Sequence, residues 1–181
     1  MTSTLNLSLG ETLAVLAKLL EYPGPEFNEN LDQAIETLKV SFKGASAKLL
    51  EFKKSIANSR LLELEELYTR TFDLAPLCIP YLSSHIYGDE NFERGALMSN
   101  LSQRYQECNF ETNGELPDHL ALILRYTAYC QEEELSELIE YCLKKPLRSM
   151  SDTLKEAENP YYLLLQSAEA VIETARKGVL S

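Results

Sequence analysis

Tryptophan is absent from this chain, histidine occurs only twice, and the four cysteines Cys78, Cys108, Cys130 and Cys142 are widely scattered with no Cys-x-x-Cys spacing. Neither a zinc site nor a disulfide framework is signalled, and buried free thiols are the default. Basic residues are scarce: 17 Lys and Arg stand against 28 Asp and Glu, a net charge of −11. That field repels phosphate backbones and anionic lipid, which argues against a nucleic-acid partner. It attracts basic peptides, although the same charge also serves solubility alone. A long apolar run is missing too. The first twenty residues, MTSTLNLSLGETLAVLAKLL, have no basic leader and are interrupted by Glu11 and Lys18, so they resemble neither a signal peptide nor a membrane span. These features place the protein in the cytoplasm, with no direct membrane insertion.

The marks of common enzymes are likewise lacking. There is no G-x-x-x-x-G-K-[ST], G-x-G-x-x-G, H-E-x-x-H or G-x-S-x-G string, so phosphate cradling, zinc hydrolysis and acyl transfer have no expected spacing. A di-iron bundle needs Glu-x-x-His pairs, and neither His85 nor His119 has a Glu three residues before it. No catalytic residue, metal ligand or cofactor is implied, and the chain is read as a non-enzyme.

What is present is helical periodicity. At 181 residues, with 45% hydrophobic and 25% charged side chains, the chain suits one soluble domain over 1–181 with a sizeable core. Ser8 and Glu11 form a capping-box pattern ahead of Leu9, Leu13, Leu16 and Leu20, ended by Tyr22-Pro23-Gly24-Pro25. A second helix is expected from about 26 to 42 on the stripe Phe27, Leu31, Ile35 and Leu38, broken at Gly44 before a third through Leu49, Phe52 and Ile56. The string RLLELEELYTRTF gives a fourth helix from Arg60 to Phe72, with Tyr68 and Phe72 on its apolar side. Residues 73–89 contain two prolines and no clear period, the pattern of an apolar connector, and connectors of such length are often functional. Helical spacing returns at Phe92, Leu97, Leu101 and Tyr105 and again at Leu120, Ile123, Leu124 and Ala128. The acidic stretch QEEELSELIEYCLKK and the final NPYYLLLQSAEAVIETARK complete an all-α chain, with Pro146 and Pro160 marking a break or kink between helices. No strand run is evident.

Two stretches invite a functional reading. In ELPDH, residues 115–119, Pro117 suits the first helical position and Asp118 the positive end of the helix dipole, which explains both without function. His119 then has either a structural or a docking role. In YGDENFERGAL, residues 87–97, Gly88-Asp89 reads as a turn, and Glu90 and Arg94 as an i, i+4 pair on a helix. Gly95 inside that helix hints at close packing.

The strings LYTRTFDL (67–74), PYLSSHIYGDENFERGALMSNLSQRY (80–105) and LPDHLALILRY (116–126), with LLEYP at 19–23, together resemble the TorD/DmsD/NarJ family of molybdoenzyme maturation chaperones. The likeness is greatest to its NarJ branch, the delta subunit of respiratory nitrate reductase, and spans about residues 9–130. It implies a TorD-like helical bundle. It also implies a system-specific chaperone that binds the apo catalytic subunit of a molybdenum oxidoreductase, through a basic N-terminal peptide, until cofactor insertion is complete. The family's peptide-binding region corresponds to Tyr68, Phe72, Asp73, Pro117, Asp118 and His119, with Tyr87 and Arg94 added. Tyr68 and Phe72 would form an apolar wall, Asp73 and Asp118 would attract basic side chains, and Pro117 would fix the presenting loop. A nucleotide- or small-molecule-binding helical enzyme, and a general helical adaptor, are the alternatives.

Overall fold

The computed structural model describes residues 7–88 and 92–179, so Asp89 and Glu90 of the expected turn and ion pair lie outside the described residues. Among those described, ten α-helices and three short irregular turns account for the regular structure. Helix α1 (Leu9–Ala17) starts at the anticipated capping box: Ser8 N–H donates to Glu11 Oε2 at 2.7 Å and Glu11 N–H donates to Ser8 Oγ at 3.2 Å. The expected stripe of Phe27, Leu31, Ile35 and Leu38 is buried on α2 (Phe27–Leu38), which packs on α3 (Lys43–Ser55). Gly44 does not break the chain. It sits in the first turn of α3, and the break falls at residues 39–42.

Helix α4 (Leu61–Tyr68) runs into a π-helical turn over Thr69–Asp73, closed by Leu74 N–H to Thr69 O at 3.1 Å. Thr71, on that turn, accepts a hydrogen bond from Asn159 Nδ2 at 2.8 Å, which ties it to the far corner of the chain. Helix α5 (Leu82–Tyr87) orders part of the expected connector, and α6 (Phe92–Glu107) follows. Phe92 fits the stripe by spacing yet is fully exposed, whereas Leu101 and Tyr105 are buried. A side chain at Gly95 would meet no described atom within 4 Å; no close packing requires that glycine.

Helix α7 (Leu120–Tyr126) ends in a 3-10 turn, Thr127–Tyr129. Then α8 (Glu132–Glu137), a π-helical segment (Leu138–Leu143) and α9 (Lys144–Glu156) run on without a gap. Pro146 lies in the first turn of α9 and marks a distortion, not a gap, between helical segments; it lacks the N–H that would return to the carbonyl of Cys142, and the helix widens into π turns over that stretch. Helix α10 (Tyr162–Val179) begins just after Pro160.

The short α1 is central, contacting α7, the 3-10 turn, α10 and α2, while α10 packs along α3 and α9. Leu13, Leu16, Leu49, Phe52, Leu82, Tyr105 and Tyr161 lie in one apolar cluster. Glycine is required at position 10: a Cβ there would fall 2.1 Å from the Thr127 carbonyl oxygen. Thr127 Oγ1 also donates to Gly10 O at 2.8 Å, so the end of α7 is pressed against the start of α1. That contact, with the π turn at 69–73, sets where the two halves of the candidate site meet.

Candidate functional site

The π turn rotates Phe72 under the core. Tyr68, Phe72 and Tyr161 form an aromatic triangle with centroids 5.1 to 6.1 Å apart, and Tyr22 caps it edge-on at 5.5 Å from Tyr68. Tyr68 Oη–H donates to Leu20 O at 3.3 Å, and burial raises its pKa, with Glu115, Asp73 and Glu21 adding to the rise. Tyr68 and Phe72 are thus principally core. Tyr22 is 56% exposed and presents the aromatic surface that Tyr68 supports.

The second half of the site is a junction between two segments distant in sequence. Leu82 N–H donates to Asp118 O and Leu120 N–H to Pro80 O, both at 2.9 Å, which makes a single antiparallel bridge between Tyr81 and His119. Pro117 is not the first helical residue, as the sequence suggests. It precedes the bridge, its carbonyl accepts from Tyr105 Oη–H at 2.8 Å, and His119 is the N-cap of α7, with Nδ1 accepting from Ala121 N–H at 3.3 Å. The ring is therefore neutral with its proton on Nε2. Burial lowers the pKa of His119, opposed by the nearby Glu115 and Asp118 carboxylates.

Asp118 is 1% exposed. Its Oδ2 accepts from Ser83 N–H at 3.3 Å and from the Ser83 hydroxyl, while Oδ1 has no hydrogen-bond partner among the described residues. Arg94 Nε–H donates to the same Ser83 oxygen at 3.0 Å, so a cation and an anion are bridged by one hydroxyl. This geometry corrects the expectation that Asp118 meets basic side chains directly: its carboxylate is spent inside the protein, holding 80–83 to 117–120. Arg94 joins that network. Asp73 is exposed at the end of the π turn, and Tyr87 at the end of α5; neither lines the hollows described next.

Two hollows share Tyr22. One, of about 280 Å³, is lined by Glu21, Tyr68, Glu115, His119, Leu122 and Arg125 among others. The other, of about 320 Å³, is lined by Leu62, Glu65, Glu66, Thr69 and Arg70. Glu115 holds its place by accepting from Leu116 N–H at 2.8 Å and from Tyr81 Oη–H at 3.3 Å. Arg125 is drawn aside by Glu21 at 3.7 Å, by the Glu111 carbonyl and by the face of Phe110, 4.9 Å away. The resulting groove is aromatic along its middle and carries Glu21, Glu65, Glu66 and Glu115 against Arg70 and Arg125. Residue-by-residue reading missed Tyr22, Glu21 and Glu115; the available signal for the first two was the LLEYP string, which contains them, and Glu115 opens the ELPDH string. Among the described residues no group of three or more His, Cys, Asp or Glu side chains is placed to hold a metal ion.

A family model described as "Nitrate reductase delta subunit" matches residues 24–165. The chain belongs to the nitrate reductase delta subunit family. Among curated relatives of this delta-family chain, the nitrate reductase molybdenum cofactor assembly chaperone NarJ of Escherichia coli K12 is 28% identical over 167 residues, covering 90% of this chain and 70% of that one. A Bacillus subtilis strain 168 protein named as a chaperone of the same kind is 29% identical over 164 residues, 90% of this chain and 88% of that one. The fold matches a crystal structure of a protein assigned as a redox enzyme maturation protein from Archaeoglobus fulgidus, with TM-score 0.64 and 17% identity over 93% of this chain and 96% of the other. That likeness is one of fold. The delta-family relatives carry the names of assembly chaperones, not of catalysts.

Proposed function

We propose that this chain is a maturation chaperone for a nitrate reductase, and that it holds the apo catalytic subunit by the basic N-terminal peptide in the groove around Tyr22. The observation that carries the reading is the pairing of an exposed aromatic ridge with flanking carboxylates in a member of the delta subunit family. Tyr22, Leu62 and the edge of Tyr68 would bury apolar side chains of the peptide, and Glu21, Glu65, Glu66 and Glu115 would select the basic ones. His119 forms part of the floor, while Asp118, Pro117 and Arg94 act as positioning residues that fix it. In this reading the 181 residues work as one domain in the cytoplasm, and the protein binds and releases without turnover.

Titration calorimetry with a synthetic peptide of the N-terminal residues of a nitrate reductase catalytic subunit tests the proposal. Affinity should weaken as salt rises, because attraction by a −11 chain is screened over about 8 Å at physiological ionic strength. Tyr22→Ala and the pair Glu65→Lys/Glu66→Lys should each weaken binding several-fold at unchanged helicity. Binding insensitive to both would place the peptide elsewhere, and competition by a guanine nucleotide would favour a nucleotide-binding protein.

A further inference from the structure

We propose that a second groove, at the opposite end of α1 from Tyr22, docks a basic amphipathic helix of a partner chain. It runs between α8 with its π segment on one side and the start of α1 and end of α10 on the other, and encloses about 650 Å³, inside the range of established binding pockets. Its walls are apolar: Leu9, Leu135, Ile139 and Ile172 face the hollow. α1 is nine residues long, which separates this groove from the Tyr22 groove by roughly 14 Å of helix rise. No described residue lines both.

The charge around this groove is one-sided. Glu132, Glu133, Glu137 and Glu140 line the hollow and the shelf beside it, against Arg176 alone among the described lining residues. Glu140 is engaged by Lys144 at 2.9 Å and Glu137 more distantly by Arg104 at 3.7 Å. Glu132 and Glu133 suit the first turn of α8 for structural reasons, but that reason does not extend to Glu137 and Glu140. Between these carboxylates Tyr141 is 72% exposed, a ring free to lie against a Lys or Arg head group. An apolar trough with an acidic, aromatic rim is complementary to a helix carrying aliphatic residues on one face and Lys or Arg beside them. That chemistry, and not a second copy of this −11 chain, matches the charge.

The test uses the full chain carrying Glu65→Lys/Glu66→Lys, so that the Tyr22 groove is charge-reversed. The probe is a fluorescein-labelled Leu/Lys amphipathic peptide of roughly 14 residues, four turns of helix, with a Leu/Glu peptide of the same pattern as control. The Leu/Lys peptide should bind and the Leu/Glu peptide should not. Ser136, exposed and lining both hollow and shelf, can be enlarged without touching the core: Ser136→Trp should raise Kd roughly tenfold or more, with helicity unchanged. Glu133→Gln/Glu137→Gln should weaken binding several-fold and flatten its salt dependence. No binding by the Leu/Lys peptide, equal binding in the Ser136→Trp chain, or a dimer of this chain that Ser136→Trp dissociates would each overturn the proposal.

Discussion

The two ends of α7 are held by opposite kinds of chemistry. At its start, a buried carboxylate and a hydroxyl bind the 80–83 segment to 117–120, a guanidinium donates to the same hydroxyl, and a neutral imidazole caps the helix. At its end, the backbone of Thr127 lies so close to Gly10 that no side chain fits between them. The tight end places α7 against the central helix by shape. The polar end sets the direction in which His119 and the preceding Glu115 face the groove. A dry contact tolerates no added atom, whereas a buried polar network tolerates no missing one.

Gly10→Ala should give the largest loss, about 3 kcal/mol, because the added methyl must displace backbone and not a flexible side chain; urea unfolding of wild type and variant reads it directly. Asp118→Ala should cost about 2 kcal/mol by leaving the Ser83 N–H and hydroxyl without their buried acceptor. For a chain of this size that is roughly 4–8 °C in Tm, accompanied by weaker capture of the client peptide in calorimetry. If Asp118→Ala melts like wild type, the polar end does not hold the helix. Thr127→Val keeps the shape of the tight end and removes the single hydroxyl donor that Gly10 O and Leu124 O share, so it should cost only about 1 kcal/mol. A larger thermal shift would mean that hydrogen bonding, and not fit, governs that end.

The smallest effect is a pH dependence confined to the polar end. The folded-state pKa of His119 is below its ordinary value of 6.5, so on acidification the unfolded chain takes up this proton first. Its contribution is fully present above the unfolded pKa and is lost as pH falls from there through the lowered folded value. His119→Asn retains an N-capping side chain without titrating. The fall in urea midpoint between pH 7.5 and 5.5 should therefore be shallower in the variant than in wild type, and parallel curves would show that His119 is not desolvated in solution.

The sequence by itself determined the helices whose apolar stripes repeat locally: α2 on Phe27, Leu31, Ile35 and Leu38, the Ser8 cap of α1, and the inward face of Tyr68 and Phe72. Each depends on residues within a few positions of one another, so periodicity and capping chemistry suffice. The delta-subunit resemblance also rested on local strings. Only the tertiary structure decided that Asp118 is buried against Ser83, that His119 and not Pro117 begins α7, that Phe92 faces solvent despite its spacing, and that Tyr22 stands between two hollows with Glu115 brought in from more than ninety positions away. Burial and partnership of a polar side chain depend on what a distant segment supplies, and the −1 charge of Asp118 is tolerated inside only because Ser83 and Arg94 arrive from α5 and α6 to meet it.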